Sequence, residues 1–195
     1  MSYIFVGLGN PGEEYENTRH NAGRMALEYF RKAQQFPEWE KNKKLNALVS
    51  LGKIKKEKVT LLLPETFMNK SGVSLAPLVK NKKAAEHLVV AHDDLDLPIG
   101  SLKIVFNRGS GGHKGVESIR HRVKTEGFIR VRIGISPATF KGMVKKPDAV
   151  LMNDFILGEF RPKEKDLLKK IIKRTADILA TIATEGRARA MNEFN

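Results

Sequence analysis

Apolar residues along this chain fall into two rhythms, short buried runs and helical stripes, and they alternate. Tyr3 to Val6 is a short apolar run that predicts a buried strand. Ala22, Met25, Ala26, Tyr29, Phe30 and Ala33 recur at helical spacing, so residues 22–33 predict a helix. Leu45 to Leu51 and Val59 to Leu63 predict two strands joined by a lysine-rich turn, an antiparallel hairpin. Ser71 is a helix-capping residue type, and a helix from it towards Lys82 is expected, bent or shortened at Pro77. Leu88 to Ala91 predicts another buried strand, followed by an acidic loop, Asp93-Asp-Leu-Asp96.

Leu102 to Phe106 and Phe128 to Ile135 complete the expected sheet, with Arg130 and Arg132 sharing one face of the second strand. Gly109-Ser-Gly-Gly-His-Lys-Gly115 leads into a helix through Ile119 and Val123. The stretch from Ser136 to Phe160 carries Gly142 and Pro147 without a sustained period, which predicts a mobile loop. Leu168, Ile171, Ile172, Ile178, Leu179 and Ile182 define a final amphipathic helix. Alternating strands and helices, with no repeat and no linker, predict an α/β fold built on a mixed sheet, and residues 1–195 are read as one domain.

Composition narrows the class. No apolar run approaches the length of a membrane span, and the N-terminus reads as a strand, not a signal peptide. The chain has no cysteine, which excludes disulfides and thiolate metal sites and fits a cytoplasmic protein. The net charge of +13 favours an anionic partner such as nucleic acid. Part of that charge has a plainer explanation, because Lys41, Lys43, Lys44, Lys53, Lys55, Lys56 and Lys58 flank two strands and protect their ends.

Familiar motifs are mostly excluded. Gly7-Leu-Gly-Asn-Pro-Gly12 has the glycine spacing of a dinucleotide site, but Pro11 and the long approach to the helix keep that helix end from the third glycine. Gly-Gly-His-Lys-Gly115 is not a P-loop, since no Ser or Thr follows Lys114. No Gly-x-Ser-x-Gly elbow and no metal-ligand pair occurs. Among five histidines, His20 stands beside Asn17, Thr18 and Asn21 at an expected helix N-terminus, whose dipole favours a neutral imidazole. A base needs an acceptor to fix its tautomer, and Asp93, Asp94 and Asp96 all compete for that role. Asn10, Asn21 and Asn69 offer amides that hold carbonyls and waters without adding charge, as a water-activating hydrolase requires.

Seven segments, in order, resemble the bacterial-type peptidyl-tRNA hydrolases: Val6-Gly-Leu-Gly-Asn-Pro-Gly12 with Tyr15, Thr18-Arg-His-Asn-Ala-Gly23, Pro64-Glu-Thr-Phe-Met-Asn-Lys-Ser-Gly72, His92-Asp-Asp-Leu-Asp-Leu-Pro98, Gly109-Ser-Gly-Gly-His113, Arg130-Val-Arg-Ile-Gly-Ile135 and Ala190-Met-Asn192. The resemblance implies an α/β/α sandwich around a twisted mixed β-sheet, of the peptidyl-tRNA hydrolase and phosphorylase-like kind. It implies a cytoplasmic, monomeric enzyme without metal or organic cofactor, which hydrolyses the ester joining a peptide to the 3′ ribose of tRNA. His20 would be the base and Asp93 its orienting acid. Asn10 and Asn69 would hold the substrate's 3′ end and peptide carbonyl, Tyr15 would line the cleft, and His113 would shape the peptide side. Asn21, Phe67 and Lys114 would complete the substrate contacts, Lys103, Arg130 and Arg132 would meet tRNA phosphates, and residues 136–160 would form a lid. Two departures stand out: Lys114 replaces the family's usual asparagine, and Val105 stands where some members carry a basic residue. The competing reading is a non-catalytic RNA-binding relative of the same fold.

Overall fold

A computed structural model describes residues 2–138 and 143–195. Seven strands form one sheet in the order β2-β3-β4-β1-β5-β7-β6. They span Ser2–Gly7 (β1), Glu40–Asn42 (β2), Ala47–Ile54 (β3), Glu57–Pro64 (β4), Leu88–Pro98 (β5), Leu102–Phe106 (β6) and Ile129–Ser136 (β7). The central strands β4, β1, β5 and β7 run parallel, and antiparallel pairs β2-β3, β3-β4 and β6-β7 flank them. The sheet is therefore mixed, as the alternation of the sequence predicts.

Period-two alternation divides the strands between two cores. Phe5, Leu61, Leu63, Val89, Ala91 and Val131 pack on one face with helices α1 (Ala22–Ala33) and α5 (Pro162–Glu185). Val6, Leu62, Leu88 and Val90 pack on the other with α3 (Lys114–Val123) and residues 68–79. Between α1 and α3, a four-residue helix α2 covers Lys82–Ala85. The glycines of the first motif serve packing. A Cβ on Gly7 would lie 2.5 Å from the Gly23 carbonyl oxygen, and one on Gly23 would lie 2.2 Å from that of Ala91. These two glycines let the start of α1 press against the ends of β1 and β5.

Four expectations need correction. Residues 71–82 are not one helix: Met68–Ser74 is a 3-10 helix in which Ser71 donates to the Met68 carbonyl, and only α2 is α-helical beyond it. The backbone of Gly72 instead crosses close to α3 and donates to Ser118 Oγ at 3.0 Å. The acidic residues 93–96 are not a loop but the second half of β5, with Asp93 and Asp94 opposite Ile133 and Gly134 of β7. Of the expected loop 136–160, residues 139–142 lie outside the described residues. The remainder holds a 3-10 turn, Ala149–Leu151, and a helix α4, Met152–Leu157, too short to establish a period. Finally, α5 is not the last helix, because α6 (Arg187–Phe194) follows it after Gly186 and lies against β6.

Candidate active site

His20 sits in the 3-10 turn Arg19–Asn21 that runs directly into α1, beyond the carboxyl end of β1. Asp93 approaches from the second half of β5 and is 2% exposed. His20 Nδ1 lies 3.0 and 2.9 Å from the two Asp93 oxygens. A second imidazole completes the group, since His113 Nε2 lies 2.8 Å from Asp93 Oδ1. The other two acids face elsewhere: Asp94 binds Arg132 Nε and Nη2 at 2.6 and 3.1 Å, and Asp96 pairs with Lys146.

The protons in this group follow from its neighbours. Burial would raise the pKa of Asp93, but the charges and hydrogen bonds of His20 and His113 outweigh it and hold the carboxyl below its ordinary value. An ionised carboxylate only accepts, so both facing ring nitrogens carry protons. His113 also caps α3, its Nδ1 accepting the amides of Gly115 and Val116 at 3.2 and 3.3 Å. That places its single neutral-state proton on Nε2. His20 donates through Nδ1 and keeps the Nε2 lone pair for chemistry.

His20, Asp93 and His113 bring possible ligand atoms within 4.8 Å of one another. As arranged they do not suit a metal. To ligate, His113 Nε2 would have to lose its proton, and the tautomer that results would direct Nδ1–H at the two α3 amides. A cavity of about 310 Å³ opens at His20, and Asp93, Asp94, Asp96, Lys114 and Lys146 are among the residues that line it. It thus combines a rim of mixed charge with an apolar wall supplied by α4.

The expected substrate residues are distributed unevenly. Asn21 is buried; its Oδ1 accepts from the Asn10 amide at 2.8 Å and its Nδ2 donates to the Asn10 carbonyl at 2.9 Å. Asn10 Oδ1 in turn accepts the Met68 amide at 2.9 Å, which fixes the start of the segment carrying Phe67 and Asn69. Phe67 is 61% exposed, and Asn69 is exposed beside it. Asn10 and Asn21 line a separate groove with Arg24, Glu28 and Trp39, while Tyr15 is half-buried in the turn Glu13–Tyr15. Lys103, Arg130 and Arg132 do come together, in a cleft of about 540 Å³ that shares Gly111 with the cavity at His20.

The family model described as peptidyl-tRNA hydrolase matches residues 4–195. This chain belongs to the peptidyl-tRNA hydrolase family. It is 38% identical over 193 residues to the peptidyl-tRNA hydrolase of Syntrophotalea carbinolica, covering 98% of this chain and 96% of that one. Against the enzyme of Thermoanaerobacter sp. strain X514 it is 39% identical over 194 residues, covering 99% of both. The crystal structure of peptidyl-tRNA hydrolase from Acinetobacter baumannii superposes with a TM-score of 0.87 at 31% identity, covering 99% of this chain and 94% of that chain.

Three residues that sequence reasoning passed over shape this hydrolase site. Arg19 fastens α4 beside His20. Its amide donates to the Gly158 carbonyl at 3.0 Å, its Nη2 pairs with Glu164 at 2.8 Å, and its guanidinium stacks 4.5 Å from the Phe155 ring centroid. Arg108 is a fourth cation in the cleft with Lys103. His92, wholly buried, packs edge-on against His113 with ring centroids 4.7 Å apart. Arg19 and His92 each stood within a segment that resembles the family, Thr18-Arg-His20 and His92-Asp-Asp94, whereas Arg108 carried no such signal.

Proposed function

We propose that this chain performs its family's reaction, hydrolysis of the ester between a peptide and the 3′ ribose of tRNA, with His20 as general base and Asp93 as its orienting acid. The observation that carries this reading is the hydrogen bond from His20 Nδ1 to a buried, ionised carboxylate at the cavity, which selects the tautomer of the neutral ring whose free lone pair is on Nε2. His20 Nε2 takes a proton from water as that water attacks the ester carbonyl carbon. Asp93 stabilises the imidazolium so formed. Collapse of the tetrahedral intermediate breaks the bond to the ribose oxygen, and His20 Nε2 returns the proton to that leaving oxygen. No metal enters any step.

Asn10 and Asn69, with Asn21 holding Asn10 in place, present amides to the 3′ end, and Phe67 offers an exposed ring for a base or peptide side chain. Tyr15 borders this approach, Lys114 sits at the cavity rim, and the cleft of Lys103, Arg108 and Arg132 attracts tRNA phosphates. Among the described residues no helix is long and apolar enough to cross a membrane. Together with a substrate made during translation, this supports a cytoplasmic enzyme. One sheet bearing both cavity and cleft supports residues 1–195 acting as a single domain, and the monomeric state is carried over from the family resemblance. A non-catalytic RNA-binding role is not favoured, because the relatives carry the hydrolase name and a pure binder has no use for the His20–Asp93 pair.

The test is release of an N-blocked amino acid from its tRNA. His20→Ala should lower kcat by about three orders of magnitude or more, as loss of a general base does. Hydrolysis that survives in His20→Ala would refute the assignment of the base.

A further inference from the structure

We propose that Arg130 and His92 are positioning residues for the hydrolytic site, and that Arg130 serves the reaction by bracing the Gly109–His113 loop instead of gripping a substrate phosphate. The inference rests on the His20–Asp93 reading above. Arg130 lines the basic cleft, yet it is only 4% exposed and both of its Nη atoms already have partners. Nη2 donates to the Gly109 carbonyl at 2.7 Å and to that of Arg108 at 3.3 Å. Nη1 points to His92 Nε2 at 3.4 Å. The neighbouring Arg132 is differently placed, with Asp94 across from it and a larger share of its side chain in the cleft.

His92 extends the brace to the carboxylate. Its Nδ1 lies 2.7 Å from the Asp93 carbonyl oxygen, so this nitrogen donates and Nε2 is left as the acceptor for Arg130. Burial first, then the charges of His113 and Arg130, hold its pKa well below the ordinary histidine value and keep the ring neutral. Two routes therefore lead from the guanidinium to Asp93. One runs through the His92 ring to the backbone of Asp93; the other runs through the loop to His113, whose Nε2–H meets Oδ1.

The loop depends on this support. Gly111 and Gly112 adopt φ values of +63° and +82°, and a Cβ at Gly109, Gly111 or Gly112 would meet nothing within 4 Å. A segment with so little packing of its own takes its position from hydrogen bonds: Ser110 accepts from the amides of Gly112 and His113 within the loop, and the rest come at its ends. Arg130 supplies them at one end and the α3 cap of His113 at the other.

Two substrates separate bracing from phosphate binding: N-blocked aminoacyl-tRNA, and the same acyl group esterified to a CCA trinucleotide, which lacks the tRNA body. Arg130→Lys keeps the charge but cannot span His92 and two carbonyls. It should lower kcat about tenfold or more on both substrates with little change in KM, and His92→Phe should do the same while keeping the ring that packs on His113. The double variant should be no slower than the worse single one. A raised KM confined to the tRNA substrate, with kcat intact, would overturn the proposal and return Arg130 to the phosphate contacts. Thermal melts identify any variant that has lost its fold. Ring-nitrogen NMR of folded Arg130→Lys, without substrate, gives an independent reading: the His113 Nε2–H signal should shift or broaden, and an unchanged signal would also overturn the brace. Loss of function in Arg130→Lys alongside full activity in His20→Ala would instead indict the assignment of the base.

Discussion

The cavity at His20 and the basic cleft beside it share a wall at Gly111 but use charge in opposite ways. In the cavity one buried carboxylate fixes two imidazoles, and the nitrogen that each ring turns to it is set by hydrogen bonds. In the cleft, four cations gather, yet Arg132 is held by Asp94 and Arg130 by backbone carbonyls and His92. Of the cations among the described residues that line it, only Lys103 and Arg108 are exposed. Preorganisation is thus concentrated where bonds change, and long-range attraction where the partner is large and charged. A count of positive residues overstates the number available to phosphates.

The largest effect that tests this contrast is expected at Asp93. Asp93→Asn presents one oxygen and one amide nitrogen where two ring N–H groups now meet a carboxylate. Both rings reach Oδ1, so an amide oxygen kept there still meets His113 Nε2 and His20 Nδ1, while the amide N–H₂ replaces the Oδ2 that His20 Nδ1 now meets at 2.9 Å. His113 is pinned by the α3 cap, so the misfit falls on His20. We expect kcat to fall by roughly three to four orders of magnitude with KM nearly unchanged, as in triads whose acid is neutralised. A loss below tenfold would mean that the carboxylate does not set the tautomer of His20.

In the cleft the effects should be smaller and should appear in binding. Lys103→Ala should raise KM several-fold and reduce the salt dependence of tRNA binding by about one counterion. Asp94→Asn is the more revealing change, because it removes the bidentate partner of Arg132 and leaves it only the longer contact with Asp96, at 3.7 Å. It should strengthen tRNA binding at low salt and steepen the salt slope. Weaker binding would show that Asp94 aims Arg132 productively and that the pair works as a unit.

Lys114 sits between the two regimes. It is the first residue of α3 and exposed at the cavity rim, and among the described residues it has no ion-pair partner, whereas Lys146 is paired with Asp96. A lysine supplies donors but no acceptor, so it favours a developing oxyanion and cannot orient a water by accepting from it. Lys114→Asn is expected to lower kcat about three- to tenfold, with His20 and Asp93 retaining the bulk of the rate. A many-fold rise in turnover would identify the lysine as an impairment instead.

The sequence made some of this legible and hid the rest for physical reasons. β1 and α1 were readable because their pattern is local and uninterrupted: the expected helix 22–33 and the observed one coincide. The acidic end of β5 was hidden because Asp93 to Asp96 carry loop-like side chains, while the pairing of their backbone with β7 is a long-range fact. That same register explains what spacing left open. Asp94 lies on the side of the strand facing Arg132, which removes it as a partner for His20. The helix expected from Ser71 failed because Gly72 approaches α3, a contact no local propensity encodes. His92 and Arg130 lay next to readable residues, but their roles rest on burial and hydrogen-bond direction, which composition does not carry.

The smallest expected effect sets Asp93 against a carboxylate with more donors but no catalytic task. Glu28 of α1 accepts from Arg31, Trp39 and Lys32 on the far side of the His20 turn. Burial would raise its pKa, but those hydrogen bonds and the charge of Arg31 lower it from 4.5 to about 2. A carboxyl depressed on folding contributes stability that is complete above its unfolded value and is lost as pH falls through the folded one. The window for Glu28 is therefore from about pH 4.5 down to about 2. Its side chain is one-third exposed, so solvent screens the pairs and the contribution should be only about 0.5–1 kcal/mol. Glu28→Gln should flatten the acid limb of the stability curve in that window, with unfolding followed by Trp39 fluorescence, and leave kcat at neutral pH unchanged. An equal loss of stability at pH 7 and pH 2.5 would show that Glu28 acts through packing around Trp39.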